Sequence, residues 1–427
     1  MTPGSTRSDA RAAATTVARR LREAGFTAYF AGGCVRDELL GLTPTDYDVA
    51  TDATPDEVRG RFQRTAHVGA HFGVVLVKER AGEGDHTIEV ATFRSDGSYS
   101  DSRRPDQVTF SSPEEDARRR DFSINALFLD PLADEGGASA VIDHVGGLAD
   151  LERGLVRAVG DADARLREDH LRALRGVRFA ARFGFDLEEA TSEAITRHAV
   201  ELRGVSRERI GDELRRMMAH TSRHDAAWKL QLLGLDEAMF DRHSASAPRT
   251  LGRLSEPGDG RPPALATCLS AWALDRGAVI EATQIAGLVR HWRERLCLSN
   301  EERDAFKRTL EVHASLERAW WTLGVAAQKR LASESVFTEA LRLVQAQRPE
   351  EMVRIRARVS ELAAEAGGLA PEPLLSGDDL IALGLTPGPR FRGLLDVLYD
   401  AQLEGRVGTR EDAERLAREL SRRSDDG

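Results

Sequence analysis

Chemistry is densest between Phe30 and Thr51, FAGGCVRDELLGLTPTDYDVAT. Asp46 and Asp48 stand two apart in DYDVA (46–50), a run that reads as a strand. On a strand, residues i and i+2 share a face, so both carboxylates point the same way. Two like charges side by side repel unless a cation lies between them, and a divalent metal that handles phosphates meets that need. The plain alternative is two solvated acids on an edge strand. Upstream, Gly32-Gly33 follows an apolar run and precedes a helical pattern. Such a turn lets backbone N–H groups approach a phosphate, although turns use glycine widely. Arg36 follows in the first helical turn, within reach of the same anion. Glu89 sits in HTIEVATFR (86–94), a β-rich run in which an acid is poor material. It either faces solvent or completes an acidic triad with Asp46 and Asp48.

Two arginine-rich segments follow. Arg118-Arg119-Arg120 precede the apolar run of Asp121 to Leu127. Read as the first turn of a helix, they oppose the helix dipole, and a polyphosphate ligand would account for them. Residues 165–182, RLREDHLRALRGVRFAAR, hold six Arg against two acids, a local net charge of +4. At about 100° per residue, Arg172, Arg175, Arg178 and Arg182 share roughly a 120° arc. An arginine stripe is ordinarily a solvated face. Asp169, three residues before Arg172, would pair with it, and a locked Asp/Arg pair can match the Watson–Crick edge of a base.

The elements that must position these residues come from the patterning. Residues 8–24 read as a helix capped at Ser8 or Asp9 and stopped at Gly25. Strands are expected at 27–31, 46–50, 74–78 and 87–92, and a loop or hairpin over 94–120. Beyond Gly154 helical periodicity dominates, interrupted by linker-like stretches at 244–263 and 367–379. Five Trp (228, 272, 292, 320 and 321) read as core of the helical body.

Composition removes other classes. The 427 residues carry 60 Lys+Arg against 70 Asp+Glu, a net charge of −10. A wholesale basic coat for nucleic acid is excluded, but a local basic groove is not. Four of the 60 cations are Lys; the excess of Arg fits phosphate and base recognition or a GC-rich genome equally. Three cysteines (34, 268, 297) form no CxxC pair, so a disulfide framework or cysteine-rich zinc site is not expected. With no apolar run of about 18 residues and no secretory h-region, a soluble cytoplasmic protein without membrane contact is expected.

GGCVRD, DYDVAT, RRDFSINAL, DHVGGLADL (143–151), EDHLRALRGVRFAARFGF and SRERIGDEL (206–214) occur in this order. Together they resemble motifs A to E of the class II tRNA nucleotidyltransferases, the CCA-adding enzymes and bacterial poly(A) polymerases of the polymerase-β superfamily. The resemblance implies an α+β head with a polymerase-β-like nucleotidyltransferase sheet, followed by an all-α neck, body and tail. The divisions expected are 1–150 (catalytic head), 151–220 (neck), 221–370 (body) and 371–427 (tail). It implies that Asp46 and Asp48 hold Mg²⁺, with Glu89 in the place of the third acid. Gly33 and Arg36 would hold the incoming triphosphate, and Arg120 the sugar or phosphate. Asp169 and Arg172 would select C or A, with Arg175 and Arg178 assisting; the motif around Arg209 and Glu213 would brace the neck. Ser123 stands where the family more often has Thr, and the hydroxyl is kept.

The implied reaction is addition of CCA to the tRNA 3′ end on its acceptor arm, from CTP and ATP. The uninterrupted 94–113 segment points to an enzyme able to add A, and RTAHVGAHFGVVLV (64–77) resembles CCA-adding members. Addition of A alone, poly(A) synthesis and a non-catalytic RNA-binding descendant are the alternatives; intact Asp46, Asp48 and Arg172 speak against the last. Monomer and homodimer both stay open. GLTPGPR (384–390), at an expected helix start, is a candidate phosphate contact.

Overall fold

In a computed structural model, residues 3–67, 73–96, 108–133, 140–254, 261–278, 281–365, 367–385 and 390–425 are described. The first helix, α1 (Pro3–Glu23), begins earlier than its sequence cap suggests and ends just before Gly25. Ala13, Ala14, Val17, Ala18 and Leu21 recur on its inner face and are fully buried. That stripe packs on a sheet, with Phe30, Val49, Val77 and Val90 in the same core.

The sheet is mixed. Strands β1 (Ala28–Ala31), β2 (Asp48–Thr51), β3 (Thr65–His67), β4 (Val74–Ala81) and β5 (Gly84–Thr92) come first in the chain. A stub hairpin follows, β6 (Arg94–Asp96) paired antiparallel with β7 (Val108–Phe110). Then come β8 (Leu127–Leu129) and β9 (Val141–Asp143). The seven-stranded order is β3-β4-β5-β2-β1-β8-β9. β2 lies between antiparallel β1 and parallel β5, so its first residue opens on a place where two strands end together.

Short helices punctuate the sheet: α2 (Gly33–Leu39), α3 (Pro55–Arg61), α4 (Pro113–Arg118) and α5 (Gly147–Arg153). Thr54 and Glu57 form a reciprocal capping box on α3, with Pro55 at its first position. Then α6 (Ala162–Glu168), α7 (Arg172–Phe183), α8 (Glu189–Arg197), α9 (Arg207–Ala219) and α10 (Arg223–Leu232) follow.

The chain divides into two compact units, Met1–Ala245 and Ser246–Gly427. Among the described residues the second unit has helices and no strands, which agrees with an α+β head followed by a helical remainder. One of its cores gathers Val312, Leu316, Trp320, Val344 and Ile355, and another Leu375, Leu380, Leu398, Ala401 and Ala417. Trp272, Trp292 and Trp320 are buried as expected, but Trp321 is 46% exposed. Trp320 and Trp321 are adjacent in a 3-10 turn, so both cannot face inward; Arg354 instead lies 4.8 Å over the Trp321 ring. No described helix is long and apolar enough to cross a membrane.

Candidate active site

Asp48 is the first residue of β2 and lies directly opposite Glu89 of β5 in parallel register. Asp46 precedes the strand, which corrects the expectation of a strand beginning at 46: the ladder starts at Asp48. Tyr47 still alternates with its neighbours. Its ring is buried 5.2 Å from that of Phe30 and its hydroxyl donates to Glu38 at 2.7 Å, while Asp46 stays exposed. No described residue hydrogen-bonds the Asp48 or Glu89 carboxylate.

The electrostatics follow from that isolation. Burial, then Glu89 and Asp46, push Asp48 up to about 7, against the opposing pull of Arg120. Partial burial and Asp46 also raise Glu89, which keeps an open solvent side. Three carboxylates with surplus negative charge fit a hard divalent cation. Among the described residues no three potential ligands are already drawn into a cage, so the ion itself would have to gather them.

The Gly32-Gly33 turn is built by close approach. Gly32 has φ +75, and a Cβ there would stand 2.7 Å from Nη1 of Arg120. Arg120 crosses the turn: Nη1 donates to the Asn125 carbonyl at 3.0 Å, Nη2 to Asp116 at 3.0 Å, and the guanidinium lies 5.2 Å over the Phe128 ring. Gly33 opens α2. Arg36, in the same helix, is 4% exposed and its fork is occupied. It donates to Asp37 at 2.6 and 2.8 Å and to the Asn125 side chain, between the rings of Phe179 and Phe183. Burial lowers its pKa, with Asp37 opposing.

The arginine triplet is placed differently from the sequence expectation. Arg118 ends α4 and Arg119 caps its C-terminus, where cations complement the dipole. The anomaly that called for a polyphosphate is gone. Asp116, 2% exposed, receives both Arg119 (2.6 Å) and Arg120 (3.0 Å).

A break separates α6 from α7, and Asp169 lies in it. Asp169 and Arg172 are not an ion pair. Arg172 Nη1 donates to Glu168 at 2.5 Å and to the Arg165 carbonyl at 2.8 Å. Asp169 instead receives Arg209 of α9 at 2.6 Å and the Leu171 N–H at 3.1 Å. The break is the reason: Asp169 is extended (φ −155, ψ 102), so helical i,i+3 spacing does not apply across it.

The stripe on α7 is likewise not a solvated face. Arg175 meets Asp121 at 2.6 Å, Arg178 meets Glu213 at 2.6 Å, and Arg182 reaches Asp37 at 3.4 Å. The Arg178 guanidinium lies 4.3 Å over the Phe179 ring.

Asp121 is the residue that sequence reasoning passed over. Besides Arg175 it receives the Phe122 N–H (2.8 Å) and Asn125 Nδ2 (3.1 Å). Burial alone would raise its pKa, but Arg175 and these donors hold it down at about 2. Its one signal is an acid placed between an arginine run and an apolar run. DHVGGLADL also gains a cause: Asp143 accepts the N–H groups of Val145, Gly146, Gly147 and Leu148, capping α5. A Cβ on Gly147 would fall on the Ser123 carbonyl oxygen. Most of the 94–113 loop, the centre of 64–77 and most of GLTPGPR lie outside the described residues.

Comparison with known proteins agrees with this geometry. Residues 28–157 match the family model described as the poly(A) polymerase head domain. Residues 184–243 match one described as a probable RNA and SrmB-binding site of polymerase A. The chain is 33% identical to a CCA-adding enzyme of Limosilactobacillus fermentum over 92% of its own length and 93% of that protein. A CCA-adding enzyme of Geobacillus thermodenitrificans is 36% identical, with 92% of each chain covered. The crystal structure of a Bacillus stearothermophilus CCA-adding enzyme in complex with CTP is 27% identical, covers all of both chains and superposes with a TM-score of 0.76.

Proposed function

The chain belongs to the CCA-adding enzymes, and from that premise we propose how its residues add the 3′-terminal CCA to tRNA from CTP and ATP. The tRNA 3′-hydroxyl attacks the α-phosphorus of the nucleotide. A new O–P bond forms, and the bond to pyrophosphate breaks. The observation that carries the reading is the Asp48–Glu89 register across β2 and β5 with Asp46 beside them.

We assign Asp46 and Asp48 as ligands of Mg²⁺, with Glu89 as the third carboxylate. When bound, such an ion makes the attacking hydroxyl more acidic and offsets charge on the phosphates. Asp48 must release its proton to serve as a ligand, so its raised pKa couples metal affinity to pH. Gly33 and Arg120 are assigned to the triphosphate and sugar. Arg36 holds the turn from beneath, and to reach a phosphate it must first leave Asp37.

Base selection follows from hydrogen-bond polarity. Cytosine and adenine each present an exocyclic amine beside a ring-nitrogen acceptor. A carboxylate that accepts from the amine, next to a guanidinium that donates to the ring nitrogen, fits both. Uracil and guanine present the opposite order. Asp169 and Arg172 have those polarities, and we assign them this role. Arg209 and Glu168 hold the two side chains in the resting structure. Arg175 and Arg178 fix α7, the helix that Arg172 opens, just after Asp169. Residues 1–150 are assigned to transfer, 151–220 to selection and RNA binding, 221–370 to a helical body and 371–427 to contact with the tRNA; the compartment assigned is the cytoplasm.

The test uses tRNA transcripts ending before CCA, after C and after CC, each with CTP or ATP alone. CMP should enter the first two and AMP only the third. AMP entry without any CMP entry would make the chain an A-adding enzyme. Unlimited AMP on unrelated RNA would make it a poly(A) polymerase. RNA binding without incorporation would mark a non-catalytic descendant.

A further inference from the structure

A pocket of about 220 Å³ opens between the C-terminal half of α7 and the corner where α9 meets α10. Arg178, Arg182, Arg216, Met217, His220 and Ser222 line it. Its charges do not balance. Arg178 and Arg216 share one carboxylate, Glu213, at 2.6 and 3.2 Å. Arg182 reaches Asp37 at 3.4 Å, but Asp37 is already held at 2.6 Å by Arg36. Four guanidiniums thus divide two carboxylates.

A fifth lies beside them. Arg223, which follows the lining Ser222 in the chain and does not itself line the pocket, is 4% exposed, donates Nε to the Met218 carbonyl at 3.0 Å, and leaves its buried Nη2 without a hydrogen-bond partner among the described residues. Cationic surplus is costly where it is buried, as at Arg178 and Arg223, unless an anion completes it, while Arg182 and Arg216 keep access to solvent.

His220 contributes a donor of known orientation. The Ser222 backbone N–H can only donate, and it points at His220 Nδ1 at 3.2 Å, with the Ser222 hydroxyl at 2.7 Å from the same atom. Nδ1 is therefore the acceptor, and the neutral ring carries its hydrogen on Nε2. Burial, Arg182 and Arg223 all lower the His220 pKa, which keeps the ring neutral. The pocket offers guanidiniums from α7 and α9, an imidazole N–H and a hydroxyl, with no acid among its lining residues.

We infer that this pocket binds a phosphate group, and that in the working complex it is a backbone phosphate of the tRNA. The inference rests on tRNA being the substrate. Its α9–α10 wall lies within residues 184–243, the RNA-binding match. A free anion such as the pyrophosphate product has the same chemistry, and the test separates the two.

Arg216, with its side chain 62% exposed, can be changed without disturbing a core. Binding of the full chain to a tRNA transcript lacking CCA is measured without nucleotide, between about 50 and 200 mM salt. Arg216→Gln should weaken tRNA binding about threefold to tenfold and reduce the salt slope by about 0.7–0.9, the loss of one phosphate contact. KM for CTP and the melting temperature should not change, Arg216→Lys should restore most of the affinity, and His220→Ala should act in the same direction as Arg216→Gln. Unchanged affinity and slope in Arg216→Gln would overturn the proposal. Weakened pyrophosphate inhibition with unchanged tRNA affinity would overturn the tRNA assignment. Arg216-dependent tRNA binding by a chain that transfers no CMP would uphold the pocket and defeat the proposed reaction.

Discussion

Two acid-bearing regions of the first unit use the same side chains to opposite ends. At the open start of β2, Asp48 faces Glu89 inside β5, with Asp46 nearby and no hydrogen-bonded cation among the described residues. Where α4 and the Arg120–Asn125 segment meet α7, Asp116 and Asp121 are each surrounded by donors. Asp48 is driven up to about 7, and Asp121 is held down at about 2. Burial acts in the same direction on both, so the partners decide the outcome. The first region is poised to take up positive charge; the second has already done so.

The contrast is broken most severely at Asp48. Asp48→Asn should lower CMP transfer on the order of 10³-fold or more, measured as single-turnover rate. The metal-free fold should not suffer. With its folded pKa raised, ionised Asp48 destabilises progressively as pH rises from about 4 to about 7. Asp48→Asn should therefore match wild type in urea melts at pH 4 and exceed it by about 1–2 kcal/mol at pH 8. A variant that loses stability at pH 8 would end the contrast.

Asp121→Asn should do the reverse. It leaves Arg175 without its carboxylate and should cost about 3 kcal/mol near neutral pH, read by urea denaturation. Its folded pKa is depressed, so the stabilisation is present above about 4 and disappears as pH falls toward 2. The wild-type advantage should close over that window.

Arg172→Ala tests whether the α6–α7 break selects bases. The preference for CMP on the shortest transcript should fall roughly tenfold to a hundredfold, on the scale of one bidentate base contact, with tRNA affinity changing less. Arg209→Ala, which frees Asp169, should move the same ratio by a smaller amount. Equal loss of affinity and selectivity would make both residues structural. Glu89→Gln is the mildest change. A fall in rate of about tenfold, with a rise in the Mg²⁺ concentration needed, would rank Glu89 below Asp48. An unchanged Mg²⁺ requirement would remove Glu89 from the metal set.

Reading along the chain identified the residue types but not all of their partners. The strands around Asp48 and Glu89 are visible in alternation and β-branched content, and the buried face of α1 in its helical spacing. The triplet Arg118–Arg120 was misplaced because an apolar run after charged residues resembles a helix start; here Asp121 to Ala126 form a bridge and a single 3-10 turn leading into β8. The Asp169–Arg172 expectation failed for a related reason, since periodicity does not reveal a one-residue extension between two helices.

The order of motifs, the helical and extended segments and the carboxylate pair at DYD are legible along the chain, because they depend on near neighbours and on side-chain periodicity. Which acids are left bare and which are neutralised is set by packing between distant segments. Arg175 reaches Asp121 across 54 positions and Arg209 reaches Asp169 across 40. A carboxylate's proton affinity is set by charges and donors within a few ångströms, and folding brings those neighbours from far along the chain.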